Sequence, residues 1–191
     1  MKLLHIDSSI QGDGSASRDL SGAVVRHIVA LDPAIDIAYR DLAVAPLPHV
    51  DLARLASAEG AAVLDEFLAA DVIVIGAPMY NFAMPSQLKA WFDHIMVADK
   101  TFHYADGNPR GLVGGKHVIV AHTRGGLYGK DSPMAGIEHT ESHIRALLGF
   151  IGITDPHFIL AEGLAFGPDQ RNAAIRSALD AVTGLNIRLA A

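Results

Sequence analysis

The run Ala77-Pro-Met-Tyr-Asn-Phe-Ala-Met-Pro-Ser-Gln-Leu-Lys89 joins residues suited to holding a flat aromatic ligand. Met79, Tyr80, Asn81 and Phe82 offer consecutive main-chain N–H and C=O groups, a side-chain amide and aromatic rings. Such a set reads the polar edge of an isoalloxazine while packing against its ring. The segment just before it, Asp71-Val-Ile-Val-Ile-Gly, is apolar on both faces, as an inner strand of a parallel sheet must be, and Pro85 suits the first turn of a helix. The loop therefore sits at the carboxyl end of a central strand, where open α/β sheets bind ligands. A plain strand-to-helix connection with a buried aromatic residue fits the same residues.

A second set lies near the start. Lys2-Leu-Leu-His-Ile-Asp reads as a strand, and Leu20, Val24, Ile28 and Leu31 mark the apolar stripe of a following helix. Between them, Ser9, Ser15 and Ser17 supply hydroxyls, and Gly12 and Gly14 let backbone approach a ligand closely. A helix N-terminus with free N–H groups and hydroxyl donors suits a phosphate monoester. Neither Gly-x-x-x-x-Gly-Lys-Ser/Thr nor Gly-x-Gly-x-x-Gly is present, which argues against triphosphate and dinucleotide loops. With no Lys or Arg in the loop before Arg18, the phosphate is expected to rest on neutral donors and the helix dipole. Ser15 and Ser17 also suit plain helix capping.

A third loop, Thr123-Arg-Gly-Gly126, follows the apolar run Val118-Ile-Val-Ala. Its paired glycines permit close approach of main-chain N–H groups to a planar ligand, and a structural turn would need them equally. These loops belong to an alternation of strands near 2–7, 35–41, 71–77, 116–122 and 157–161 with helices near 16–31, 58–70, 85–99, 135–149 and 169–185. That alternation predicts a single α/β domain over 1–191, a doubly wound five-stranded parallel sheet of order 2-1-3-4-5. The order sets the three loops around one crevice.

Composition narrows the classes. With 191 residues, half of them hydrophobic, the chain suffices for one sizeable core. A net charge of −6 without a basic stripe argues against a nucleic-acid or anionic-membrane surface. No cysteine occurs, which excludes disulfides, a thiol nucleophile and cysteine-held metal clusters. His139 and His143 stand four apart, but Thr140, Glu141 and Ser142 between them do not form the His-Glu-x-x-His pattern, so no metal site is expected. Nothing in the opening residues reads as a signal peptide, and no apolar run reads as a membrane span; a cytoplasmic protein is the expectation.

The Ser8-Ser-Ile opening, Ser15-Ala-Ser17, Ala77-Pro-Met-Tyr-Asn-Phe82, Thr123-Arg-Gly-Gly126 and Leu148-Gly-Phe-Ile-Gly-Ile153 together resemble the FMN-dependent NADH:quinone oxidoreductases known as azoreductases. The resemblance runs in order from residue 1 to about residue 170. It implies a flavodoxin-like fold and a homodimer holding one non-covalent FMN per subunit. NADH or NADPH would be the donor, with ping-pong reduction of quinones and azo compounds. Carried over residue by residue, it assigns Ser9, Ser15, Ala16 and Ser17 to the phosphate, with Met79, Tyr80, Asn81, Phe82, Thr123, Arg124, Gly125 and Gly126 around the ring. Phe102, Tyr104 and Phe150 become walls of the acceptor slot, Phe150 from the partner subunit; ordinary core packing suits Phe150 as well. No residue is assigned as a catalytic acid.

Two departures stand out. The segment between Asp41 and Asp71 is shorter than in typical members, which bears on nicotinamide preference and acceptor range. Ala16 replaces a more polar residue but keeps the backbone N–H. The competing function is a flavodoxin-like carrier that passes single electrons to a protein partner.

Overall fold

The computed structural model describes residues 1–185. Its central sheet is parallel and five-stranded. In chain order the strands and helices are β1 (Lys2–Asp7), α1 (Ala16–Leu31), β2 (Asp36–Asp41), α2 (Leu52–Leu55), α3 (Ala58–Ala69), β3 (Val72–Pro78), α4 (Ser86–Ile95), β4 (Phe102–Ala105), β5 (Asn108–Gly111), β6 (His117–Thr123), α5 (Thr140–Phe150), β7 (His157–Ala161) and α6 (Pro168–Thr183). The sheet order is β2-β1-β3-β6-β7. This is the expected 2-1-3-4-5 order; the labels differ because β4 and β5 form a separate hairpin.

Strand alternation decides which side chains meet which helices. Leu4, Ile6, Ile73, Ile75, Val118 and Val120 pack under α3, α4 and α5, where Phe67, Trp91, Phe92 and Leu148 are fully buried. Leu3, Val72, Val74, Ile119 and Ala121 face α1 and α6 through Leu20, Val24, Ile28 and Val182. Every residue of β3 is buried, the burial pattern of an inner strand covered on both faces. The carboxyl ends of β1, β3 and β6 lie side by side, since Asp7 pairs with Gly76 and Pro78 with Thr123.

Two expected helices are shorter than the periodicity predicts. α4 ends at Ile95 rather than near 99, because the Thr101 hydroxyl donates to Ile95 O at 2.8 Å and accepts from Val97 N at 3.0 Å, turning the chain out of the helix. α5 starts at Thr140 rather than 135: Glu138 Oε1 accepts from the N–H groups of Thr140 and Glu141 at 2.9 and 3.1 Å, and Ala135–Ile137 is a separate 3₁₀ turn.

The β4–β5 hairpin turns at Asp106 and Gly107, both with positive φ (54° and 80°), the backbone of a two-residue type I′ connection. It docks on the end of α5, where Val113 N donates to Ile151 O at 3.0 Å. The approach depends on Gly111, where a Cβ would run into the backbone of Ile151 and Gly152. Gly111→Ala must therefore push the hairpin off α5. We expect a loss of about 1–3 kcal/mol, the usual range for overpacking, read as a lower urea midpoint, together with loss of the Phe102–Phe150 ring contact at 4.8 Å.

Candidate functional site

Two cavities share Met79 and Tyr80 and so form one crevice along the sheet's carboxyl ends. The narrow end, about 150 Å³, is lined by Ser15, Ala16, Met79, Tyr80, Thr123, Arg124 and Gly125, with Leu164, Ala165 and Arg171 closing its far side. The wide end, about 840 Å³, is lined by Ile10, Met79, Tyr80, Asn81, Met84, Lys89 and His143. Together they span the size range of small-molecule sites, with apolar walls and a few convergent polar groups.

The serine loop is fixed from below. Asp7, nearly fully buried, accepts from Ser21 Oγ at 2.8 Å and from the Tyr39 hydroxyl at 3.2 Å. It fits beside β3 because residue 76 is glycine; a Cβ there would strike Asp7 Oδ1. Arg18 makes a two-pronged pair with Asp41 at 2.6 and 2.8 Å and donates to Ser9 O at 2.8 Å. The hydrogen bond to Asp41 raises the Arg18 pKa and, from the other side, Arg18 holds the Asp41 carboxyl below its ordinary value. Ser15 is the N-cap of α1, its hydroxyl accepting from Arg18 N at 3.3 Å and lying 3.1 Å from Ser17 Oγ. The N–H groups of Ala16 and Ser17, buried at the start of α1, have no acceptor among the described residues.

Tyr80 ties the second loop to the first, its hydroxyl 3.0 Å from Ser9 Oγ and accepting from Ile10 N at 3.2 Å. Tyr80 and Ala83 exchange main-chain hydrogen bonds around Asn81 and Phe82, which both take positive φ (49° and 72°). That is a type I′ turn, but one with a phenylalanine where glycine is preferred. The strained backbone is held because Phe82 O accepts from His139 N at 2.9 Å. The Asn81 and Phe82 N–H groups are likewise without acceptors among the described residues.

The third loop is braced by charge. Arg124 is buried, and its side chain turns to His122 Nε2 (3.0 Å), Glu141 (3.3 Å) and Glu162 (3.6 Å). His122 Nδ1 faces Ala77 O at 2.8 Å, an acceptor only, so that nitrogen carries the hydrogen and Nε2 accepts from Arg124. Burial opposes ionisation of Glu138, yet the Glu141 N–H and the Arg124 charge favour the carboxylate and hold it below its ordinary value. The carbonyls of Arg124, Gly125 and Gly126 accept from Leu164, Ala165 and Gly163, while the N–H groups of Gly125 and Gly126 find no acceptor among the described residues.

The structure thus gathers most of the residues predicted for the crevice. Ser9, Ser17, Phe82 and Gly126 stand beside it rather than in its lining. Arg124 contributes backbone there, its guanidinium being engaged behind the loop. Phe102, Tyr104 and Phe150 line neither cavity: they form an aromatic row, Phe102 lying 5.9 Å from Tyr104 and 4.8 Å from Phe150, with Tyr104 67% exposed. Phe102 and Phe150 also pack on the core below, so the core role weighed for Phe150 is part of its placement. Arg171, from the first turn of α6, is a cationic lining residue that the sequence reading did not include. No local pattern marked Arg171; only the rule that the loop after the edge strand shares the same sheet end would have found it.

The donor set fits a flavin mononucleotide: unpaired N–H groups at a helix start for a phosphate, and unpaired N–H groups on two facing loops for a heterocycle edge. Phe82→Gly tests whether the turn is held for the crevice. Glycine removes the left-handed strain, and the 43%-exposed ring has little packing to lose, so stability should stay within about 1 kcal/mol of wild type in urea unfolding. A loss of more than about 2 kcal/mol would make Phe82 a core residue.

Known proteins give the same architecture. A family described as having a flavodoxin-like fold matches residues 1–184. The chain is 53% identical over 199 residues to the FMN-dependent NADH:quinone oxidoreductase 2 of Bradyrhizobium diazoefficiens, covering 97% of this chain and 98% of the relative. Among solved structures, it is similar to an azoreductase from Bacillus anthracis strain Sterne, with a TM-score of 0.87 and 25% identity over 96% of this chain and 97% of that one. An FMN-dependent NADH-azoreductase from Bacillus anthracis strain Ames Ancestor, solved in complex with FMN, gives a TM-score of 0.86 at 25% identity, over 96% of each chain.

Proposed function

The chain belongs to the flavodoxin-like family of FMN-dependent NADH:quinone oxidoreductases, and from that premise we propose how its own crevice reduces quinones and aromatic azo compounds with NADH. The observation that carries this reading is that Ala16, Asn81 and Gly125, from three loops, line one crevice with main-chain N–H groups that have no acceptor among the described residues, and that Ser17, Phe82 and Gly126 next to them also have none. The N–H groups of Ala16 and Ser17, with the hydroxyls of Ser9, Ser15 and Ser17, would hold the phosphate of FMN. Met79, Tyr80, Asn81, Phe82 and Thr123 to Gly126 would hold its ring. When bound, FMN supplies two-electron exchange between a nicotinamide and an acceptor.

The protein's own part is positional and electrostatic. Gly125 and Gly126 would supply N–H donors to negative charge on the reduced ring, and with their carbonyls committed to the 163–165 loop those donors are pre-set before reaction. The wide end of the crevice, lined by Ile10, Met84 and Tyr80, offers one apolar face that donor and acceptor occupy in turn, which is the ping-pong order. No side chain lining the crevice is required as a proton donor; the wide end is open to solvent. The slot is completed, in this reading, by a second copy of the chain in a cytoplasmic homodimer whose Phe150 covers the crevice mouth, with Phe102 and Tyr104 as further walls. Their absence from the single chain's crevice and the exposure of Tyr104 support it. Among the described residues, no helix is long and apolar enough to cross a membrane.

Anaerobic NADH oxidation by the FMN-loaded protein should proceed with a quinone or an azo dye alone. Turnover that appears only on adding a protein electron acceptor would sink the enzyme reading in favour of the carrier. The dimer reading has its own test in Phe150→Ala. If the ring lines a shared slot, relative rates among quinones change while FMN content holds. If it is core alone, stability drops by about 3–5 kcal/mol with acceptor preference intact.

A further inference from the structure

Arg171 stands in the first turn of α6, after Gly167 and Pro168, and its Nη2 donates to Gly14 O at 3.2 Å. That bond joins residues 157 apart in sequence and puts the guanidinium in the lining of the narrow cavity, beside Ser15 and Ala16. Three arginines lie near this end of the sheet, and two are already neutralised. Arg18 is paired with Asp41, and Arg124 sits between Glu141 and Glu162. Arg171 has no carboxylate partner among the described residues. One of its five N–H groups is used, which leaves the rest of a planar donor fork beside the unpaired N–H groups of Ala16 and Ser17.

We propose that Arg171 is a binding residue for the cofactor phosphate: the cation that matches its charge, supplied by the last helix rather than by the serine loop. The inference rests on the FMN reading of the crevice. A phosphate monoester carries nearly two negative charges at neutral pH. Hydroxyls and backbone amides alone leave that charge uncompensated, and the guanidinium plane suits two phosphate oxygens at once. Gly14 O serves as the tether that keeps the fork at the cavity wall, and Pro168 sets the start of the helix that presents it. A consequence is that the phosphate should couple α6 to the serine loop, so FMN, unlike riboflavin, should slow hydrogen exchange in the first turns of α6.

Riboflavin carries the same ring without the phosphate, which makes it the control. FMN and riboflavin dissociation constants, measured by flavin fluorescence on the full chain stripped of flavin, are compared between wild type and Arg171→Gln at several salt concentrations. The expected result is FMN binding weakened about ten- to a hundredfold in the variant, as for loss of a charge-assisted hydrogen bond. Riboflavin binding should stay unchanged, and the salt dependence of FMN binding should become shallower. Arg171→Lys should recover part of the loss. If wild type prefers FMN to riboflavin and the variant keeps that preference in full, Arg171 does not touch the phosphate. If both flavins weaken in parallel, Arg171 acts only by holding the Gly14 loop, and the proposal also fails. A wild-type chain that binds FMN no better than riboflavin would overturn the phosphate site itself.

Discussion

The two-pronged pair of Arg18 with Asp41 is the constraint on which the crevice depends. It crosslinks the first turn of α1 to the end of β2, and the same guanidinium reaches Ser9 O, so three separate segments are fixed by one planar group. Asp41 in turn accepts from the N–H groups of Ala43 and Val44, which starts the chain away from the sheet. Removing Arg18 would leave Asp41 partly buried without its countercharge, which costs far more than an exposed pair gains, whereas without Asp41 the guanidinium would keep only the more distant Asp7 at 3.8 Å. The geometry also has an electrostatic result. By tying up the nearest cation, the pair leaves the helix start with amide donors and no charge of its own, and this gives Arg171, which has no carboxylate partner among the described residues, its significance.

The second and third loops solve a different problem, that of keeping donors unpaired without collapse. A free loop would turn its N–H groups toward its own carbonyls. Here the carbonyls of Arg124, Gly125 and Gly126 are taken by the 163–165 segment, and Phe82 O by His139. These carbonyls are therefore satisfied by neighbouring elements, while the N–H groups of Asn81, Phe82, Gly125 and Gly126 have no acceptor among the described residues. Arg124 adds rigidity from behind, its charge matched by Glu141 and Glu162 and its Nε seated on His122. Strain in the Asn81–Phe82 turn is of the kind stored where the surroundings over-determine the backbone, as at a ligand site.

Much of this was legible in the sequence because the signals were local. The strands of the sheet follow from apolar runs, and the Ser15 cap and the loop after β3 from residue types at the ends of those runs. The Asp106-Gly107 pair is an equally local hairpin signal, flanked by Phe102 to Tyr104 and Pro109 to Gly111, yet these flanks are too short and too polar to register in an alternation read from apolar runs. What was not legible was long-range. Nothing near Arg171 marks it as a neighbour of Gly14. Nor does the Thr123-Arg-Gly-Gly run reveal that the arginine points into a carboxylate nest while its backbone faces the crevice. The end of α4 likewise depended on a threonine hydroxyl beyond the helix, which periodicity does not register.

The aromatic row completes the argument about what one chain can and cannot do alone. Gly111 and Gly152 let two backbones meet without side chains, and that close approach sets Phe102 against Phe150 rather than against the crevice. A ring pair in this position is half core and half surface: Phe102 and Phe150 pack on the buried cluster below, while Tyr104 beside them stays largely in solvent. Within one chain the crevice is therefore walled on its narrow side by polar loops and left open on its wide side. On the proposed reading, the hairpin is built to present its rings outward to a second copy. Gly152, by its type a turn residue of the Leu148 to Ile153 run, then acts at a distance, by setting the height at which those rings stand.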